Sequence, residues 1–199
     1  MTKPFSQACE NNKYPILQKI QTLFNESRLV WEIGSGTGQH ACYFAEQLPH
    51  LTWQASDREE NLLGINRWLA DAELVNAPHS VAFNVMDKVW PCQQMDAVFT
   101  ANTLHIMPWQ AVEDFFSGLD RYLIDNAVVC IYGPFKYAGK YTSESNAEFD
   151  VCLKQRDANS GIRDIEDILR LAKLAHLALA DDFSMPANNR LLVLKKLSE

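Results

Sequence analysis

Apolar positions along this chain follow two rhythms that take turns. Ile16, Leu17, Ile20, Leu23 and Phe24 recur at helical spacing, and Asn11-Asn12-Lys13-Tyr14-Pro15 before them reads as a helix start with proline in the first turn. Leu29, Val30, Trp31 and Ile33, interrupted only by Glu32, then predict a buried strand over residues 29–33. Residues 39–48 predict a helix with Ala41, Phe44, Ala45 and Leu48 on one face, and residues 51–56 alternate as a second strand ending at Asp57. Leu62, Ile65, Leu69 and Ala72 mark a helix over residues 61–72, followed by strands over 80–85 and 95–100. Pro108 opens a helix carrying Val112, Phe115, Phe116, Leu119 and Leu123, and a fifth strand over 127–132 is closed by Gly133-Pro134. Residues 136–145 are polar and rich in turn formers, which predicts a loop or lid. Helices over 146–155 and 163–176 follow, then strands over 177–183 and 190–196 joined by Met185-Pro186-Ala187-Asn188-Asn189.

Strands alternating with helices predict a mostly parallel sheet covered on both faces, an α/β fold. No repeat or linker divides the chain, so residues 1–199 are expected to form one domain. Within it, residues 1–28 would be a helical cap, 29–135 a nucleotide-binding half, and 136–199 a substrate-side half.

Composition narrows the function classes. With 199 residues, 47% hydrophobic and 22% charged, the chain resembles an ordinary globule with a full core. A net charge of −7 argues against nucleic acid as partner, because phosphate binding needs a basic face. Five cysteines show no C-x-x-C pair, so neither a disulfide framework nor a zinc site is expected and a cytoplasmic location fits. The five histidines lack metal-ligand spacing, and no apolar run is long enough to span a bilayer. Oligomeric state leaves no trace in the pattern.

The stretch Val30-Trp31-Glu32-Ile33-Gly34-Ser35-Gly36-Thr37-Gly38-Gln39-His40 carries the chemistry. A strand runs into an acidic residue, then three alternating glycines, then a helix. Glycine lets a ligand approach the backbone, and the helix start offers free N–H groups and positive dipole. A nicotinamide fingerprint would be G-x-G-x-x-G, but the third glycine here, Gly38, comes one position early and Gln39 stands where it should be.

Glu32-x-Gly34-x-Gly36-x-Gly38 resembles motif I of class I S-adenosylmethionine-dependent methyltransferases. The resemblance implies a Rossmann-like seven-stranded sheet of order 3-2-1-4-5-7-6 with strand 7 antiparallel. It implies S-adenosylmethionine as cofactor, held by Glu32, Gly34, Ser35, Gly36, Thr37 and Gly38. Glu32 would accept hydrogen bonds from the donor's amino acid end or from the glycine-loop amides. Asp57 ends the second strand, where that superfamily binds the ribose hydroxyls, and Arg58 beside it could lie against adenine. Asn84-Val85 ends the third strand at the adenine position, with Asp87 as the other candidate for the adenine amino group. Ala101 and Asn102, after the fourth strand, match the wall beside the methyl donor. Within the superfamily, Ala8-Cys9-Glu10-Asn11-Asn12-Lys13-Tyr14-Pro15-Ile16-Leu17, Tyr132-Gly133-Pro134-Phe135, Thr142-Ser143-x-Ser145-Asn146, Phe149-Asp150, Gly161-Ile162-Arg163-Asp164 and Met185-Pro186-Ala187-Asn188-Asn189 resemble an uncharacterised methyltransferase-like family of bacteria and animals.

The acceptor side is less defined. His105 follows the fourth strand and could act as a general base, its ordinary pKa lying near 6.5; packing or capping of the next helix competes. Asn12, Lys13, Tyr132, Lys136, Tyr141 and Asn146 are the substrate-side candidates, with a helix cap and solvated polar surface as the competing readings. The leading expectation is a methyltransferase acting on a small polar molecule. A protein that binds the donor or S-adenosylhomocysteine without catalysis is the alternative, and an NAD(P)-dependent oxidoreductase a distant third.

Overall fold

A computed structural model describes residues 3–198; residues 1, 2 and 199 of the expected domain lie outside them. The first helix, α1 (Gln7–Leu23), begins about one turn before the expected entry at Asn11. Ser6 is its cap, its Oγ accepting the Cys9 N–H at 3.4 Å. Apolar periodicity appears only from Ile16 because that is where the helix becomes buried. Pro15 therefore lies inside the helix, where it cannot donate to the Asn11 carbonyl.

Next come β1 (Leu29–Ile33), α2 (Gln39–Gln47), β2 (Thr52–Asp57), α3 (Glu59–Ala72), β3 (Val81–Ala82) and β4 (Met95–Ala101). They are followed by α4 (Trp109–Tyr122), β5 (Leu123–Gly133), β6 (Phe135–Tyr137), β7 (Lys140–Tyr141), α5 (Glu144–Arg156) and β8 (Arg163–Asp164). The chain closes with α6 (Ile165–Leu174), β9 (Leu177–Met185) and β10 (Asn189–Lys196).

Seven strands form the principal sheet in the order β3-β2-β1-β4-β5-β10-β9. β1 pairs in parallel with β2 and β4, while β10 runs antiparallel to both β5 and β9. Counted within this sheet alone, the order is 3-2-1-4-5-7-6. The numbering differs only because three short strands intervene.

Those three strands overturn one expectation. The polar stretch over 136–145 is no open loop: β6 and β7 form a hairpin that turns through Ala138 and Gly139, both at positive φ. β6 also pairs in parallel with β8, making a separate three-stranded sheet. The strands are too short to show alternation, and polar pairs fasten them.

The third strand is likewise shorter than expected. Beyond Ala82 the Asn84 side chain accepts the Met86 N–H at 3.1 Å and its carbonyl accepts the Asp87 N–H at 3.0 Å. This Asx turn takes the backbone out of the ladder.

Two compact units divide the described residues after Thr100. In the first, the rings of Phe24, Phe44, Trp53 and Phe99 pack in edge-to-face and tilted pairs around β1, β2 and α2. Each is fully buried, which stabilises the fold by about 1.5–3 kcal/mol for a large apolar side chain. In the second, Phe115 and Phe116 of α4 lie with Ile131, Leu192 and Leu194 in the core. Among the described residues no helix is long and apolar enough to cross a membrane.

Candidate functional site

The turn after β1 holds Gly34, Gly36 and Gly38 at φ of 80°, 58° and 88°. All three lie where side chains are disfavoured, yet their surroundings differ. A Cβ on Gly38 would meet the Ile65 Cα at 3.0 Å, so this glycine lets α2 start against α3. A Cβ on Gly36 would meet nothing within 4 Å. The backbone at Gly36 therefore faces open space, as a loop that receives a ligand requires.

The loop is tied to the end of β2. The N–H groups of Gly34 and Ser35 both donate to the Ser56 carbonyl at 3.0 Å, and Gly36 N–H donates to Asp57 Oδ2 at 2.7 Å. The other Asp57 oxygen accepts the Arg58 N–H and the Asn61 side-chain amide, both at 2.8 Å. A carboxylate has about four acceptor positions, and these bonds use three. Asp57 is thus fixed beside the open face of Gly36 with acceptor capacity left, which fits a ribose hydroxyl. Thr37 Oγ1 donates to Gln39 Oε1 at 3.0 Å.

Glu32 does not bind the loop amides, which go to Ser56 and Asp57 instead. It is 1% exposed, its Oε2 accepts Trp53 Nε1–H at 2.9 Å, and its Oε1 lies 4.0 Å from His40 Nδ1. Burial pushes its pKa up to about 7, opposed by bonds from Trp53 and Ser35, and the Asp57 charge adds to the rise. A cationic group arriving beside it would favour the ionised form. His40 is equally buried; its Nε2 lies 2.7 Å from Asn12 Oδ1, and burial lowers its pKa to about 4. Asn12, Glu32 and His40 thus make one buried polar cluster between α1, α2 and β1.

Asn12 is a buried partner of His40, more than a helix cap. Lys13 pairs with Glu10 at 2.5 Å and sits over the Tyr43 ring. Glu10 also accepts Gln39 Nε2–H at 2.7 Å, and Gln39 Oε1 accepts the Ser6 N–H at 2.6 Å. The start of α1 is fastened in this way to the start of α2. Asn84 is exposed and engaged in its own turn, whereas Val85 is buried. Arg58 projects to solvent and pairs with Glu60 at 2.9 Å.

In the second unit, Asn102 adopts φ 58° and its N–H donates to the Tyr132 carbonyl at 2.8 Å. Ala101, just before it, ends β4 and is partly exposed. His105 is 4% exposed and meets the Phe149 ring edge to face. Its Nδ1 lies 3.5 Å from where a Gly133 Cβ would be, so that glycine gives the imidazole room. Burial, aided by the Arg163 charge, lowers its pKa to about 4, with Asp150 pulling the other way. His105 is therefore a neutral proton acceptor near pH 7, though a weaker base than free histidine.

The remaining substrate-side candidates are held in place. Tyr132 is buried in β5. Lys136 pairs with Asp164 at 3.0 Å across the β6–β8 register. Tyr141 donates to Asp150 Oδ2 at 2.7 Å. Asn146 is buried and donates to Thr142 Oγ1 and the Asn188 carbonyl, tying α5 to the turn before β10. The Ala138 and Gly139 amides donate to Glu166 and Asp164. These bonds tie the hairpin to β8, α5 and α6.

The family described as "Protein of unknown function (DUF938)" matches residues 3–196. The chain belongs to the DUF938 family. Among solved structures, an O-methyltransferase family protein from Burkholderia thailandensis matches with a TM-score of 0.82 at 16% identity, covering 94% of this chain and 56% of that one. A putative O-methyltransferase from Nostoc punctiforme matches at 0.80 and 17% identity, covering 96% and 58%. The O-methyltransferase of neocarzinostatin biosynthesis, solved with S-adenosylmethionine and 2-hydroxy-5-methyl naphthoic acid, matches at 0.77 and 16%, covering 96% and 55%. The chain spans little more than half the length of these structures. At such identities the likeness shows the fold: this DUF938 protein has the Rossmann-like methyltransferase fold.

Sequence reasoning missed the polar partners that build the site of this DUF938 chain. His40 was passed over for lack of metal spacing, although it directly follows the glycine run. Asp150, Ser160 and Gly161 lay within or beside recognised family stretches without a role. Nothing in residue periodicity signals a bond from a side chain to a distant carbonyl.

Proposed function

We propose that this protein is an S-adenosylmethionine-dependent methyltransferase acting on a small polar molecule. The observation that carries the reading is the turn after β1: three glycines at positive φ, with Gly36 open in front and bonded to Asp57 behind. Asp57 would accept one ribose hydroxyl with its remaining acceptor position, and Glu32 would accept a hydrogen bond from the amino group of the donor's amino acid end. When bound, the donor supplies a methyl group already activated on a sulfonium. The chain's own work is then to align the nucleophile and exclude water. His105 would take a proton from a hydroxyl nucleophile.

The burial of His105 against the Phe149 ring favours a second reading, in which the protein binds the donor or S-adenosylhomocysteine without transfer. Thermal shifts with S-adenosylhomocysteine and NAD test the cofactor, since a ligand of the native state raises stability. Stabilisation by NAD alone would overturn the reading. Transfer of labelled methyl to a metabolite extract separates enzyme from binding protein.

A further inference from the structure

The loop between β4 and α4 is held by one short segment before and within β8. Arg163 Nε donates to the Leu104 carbonyl at 3.1 Å, and Gly161 N–H to the His105 carbonyl at 2.9 Å. Ser160 Oγ donates to the Ile106 carbonyl at 2.8 Å, and Arg163 Nη2 to the Met107 carbonyl at 2.5 Å. Four consecutive carbonyls, with His105 among them, are thereby taken by three residues more than fifty positions away. The Thr103 carbonyl accepts the Ile106 and Met107 N–H groups, which closes the loop on itself.

The clamp is supported in turn. Asp150 of α5 is 1% exposed and accepts the Ile162 N–H at 2.5 Å, Tyr141 Oη–H at 2.7 Å and Lys154 Nζ–H at 2.6 Å. A Cβ on Gly161 would stand 3.1 Å from Asp150 Oδ1, so a glycine permits this approach. Arg163 also donates to the Asn159 carbonyl at 3.0 Å and lies over the Trp109 ring. Its planar fork reaches both ends of the loop at once, which a lysine ammonium cannot do. With three N–H donors committed to backbone, Arg163 is placed for structure around His105 and not for capture of an anion.

We propose that Arg163 is a positioning residue for His105: with Ser160 and Gly161 it fixes the β4–α4 loop so that the imidazole is presented to the methyl acceptor. This rests on the methyltransferase reading. The groups that bear on the imidazole are Arg163 of β8 and Asp150 of α5, the latter joined to Tyr141 of β7 and Lys154.

The test is an NMR titration of the histidine rings in the full chain, with His105 assigned by its loss in His105→Gln. Arg163→Lys keeps the charge and removes the fork, and Ser160→Ala removes one bond without changing charge. Both are expected to move the His105 titration upward toward that of free histidine, Arg163→Lys by at least about one pH unit, while His40 stays in place. The inference is overturned if both variants keep the wild-type His105 titration and ring shifts, or if His40 moves equally, which would mark general loosening. Arg163→Ala is the stronger variant; if it does not fold, the other two carry the test. S-adenosylhomocysteine is the probe for the underlying reading. Failure of the wild type to bind it defeats the methyltransferase reading whatever His105 does. Binding with an unmoved His105 defeats only the role of Arg163.

Discussion

Asp57 Oδ2 accepts the Gly36 N–H at 2.7 Å, so the end of β2 sets the shape of the turn after β1. One carboxylate thus holds the loop through Gly36 and the start of α3 through Arg58 and Asn61. Asp57→Ala removes three accepted bonds and leaves the Gly36 amide without its acceptor. A stability loss of about 1–3 kcal/mol is expected, together with at least a 100-fold loss of S-adenosylhomocysteine affinity. Calorimetry and denaturant titration measure the two. Unchanged affinity would remove Asp57 from the ribose site.

Gly36 and Gly38 should separate binding from folding. Gly38→Ala places a methyl 3.0 Å from the Ile65 Cα at φ 88°, where backbone must move. Strain and overpacking together are expected to cost on the order of 3 kcal/mol. Gly36→Ala meets no atom and should cost only about 1–2 kcal/mol, the penalty of a left-handed alanine. Its methyl would occupy the space into which the donor is proposed to fit. The expected pattern is a stable Gly36→Ala protein that no longer binds S-adenosylhomocysteine, beside a destabilised Gly38→Ala protein. Equal stability of the two variants would contradict the packing role of Gly38.

The fixed hairpin makes a prediction about motion. Tyr141 Oη donates to Asp150 and Tyr137 Oη to Asp182, each at 2.7 Å, so the β6–β7 hairpin is anchored on both strands. Amide exchange at Ala138 and Gly139 should be slow, because both N–H groups donate to carboxylates. Tyr141→Phe should cost about 1–2 kcal/mol by leaving buried Asp150 one donor short. Rapid exchange at Ala138 and Gly139 in the wild type would restore the mobile lid that the polar sequence suggests.

Parts of this architecture are written in residue types, and parts are not. The turn at Gly34, Gly36 and Gly38 was legible because only glycine accepts these φ values at no cost. β1 and β4 were legible because strands buried on both faces read as apolar runs. Asp57 was legible as the residue that ends β2. By contrast, the start of α1 was hidden, since an exposed first turn carries no apolar period and Ser6 is one polar residue among several. The β6–β7 hairpin was hidden for a similar reason: Lys136, Tyr137 and Tyr141 are held by Asp164, Asp182 and Asp150, all outside the hairpin and the first two remote in sequence. The Arg163 clamp was the least visible, because its partners are carbonyls that every residue possesses.

The buried ionisable groups predict the pH response. Glu32 has a folded pKa of about 7, raised from 4.5, so the stability present at low pH is lost as pH rises from 4.5 through 7. His40 and His105 have folded values near 4, lowered from 6.5, so their stability is present above 6.5 and lost as pH falls through 4. Each group changes stability by roughly 1.4 kcal/mol per pH unit within its window. Between 4.5 and 6.5 two histidines outweigh one carboxyl, so stability should climb with pH. From 6.5 to 7 Glu32 acts alone and stability should fall, giving a maximum near 6.5. Glu32→Gln keeps an acceptor for Trp53 and loses the charge, so it should abolish the decline and raise the melting temperature at pH 8. Donor binding should respond in the opposite sense. An ammonium beside Glu32 favours the ionised carboxylate, so S-adenosylhomocysteine affinity should rise by up to about tenfold per pH unit below 7 and level off above it. In Glu32→Gln the affinity should be weaker and flat over that range. A wild-type affinity independent of pH from 5.5 to 8 would place the donor's amino group elsewhere.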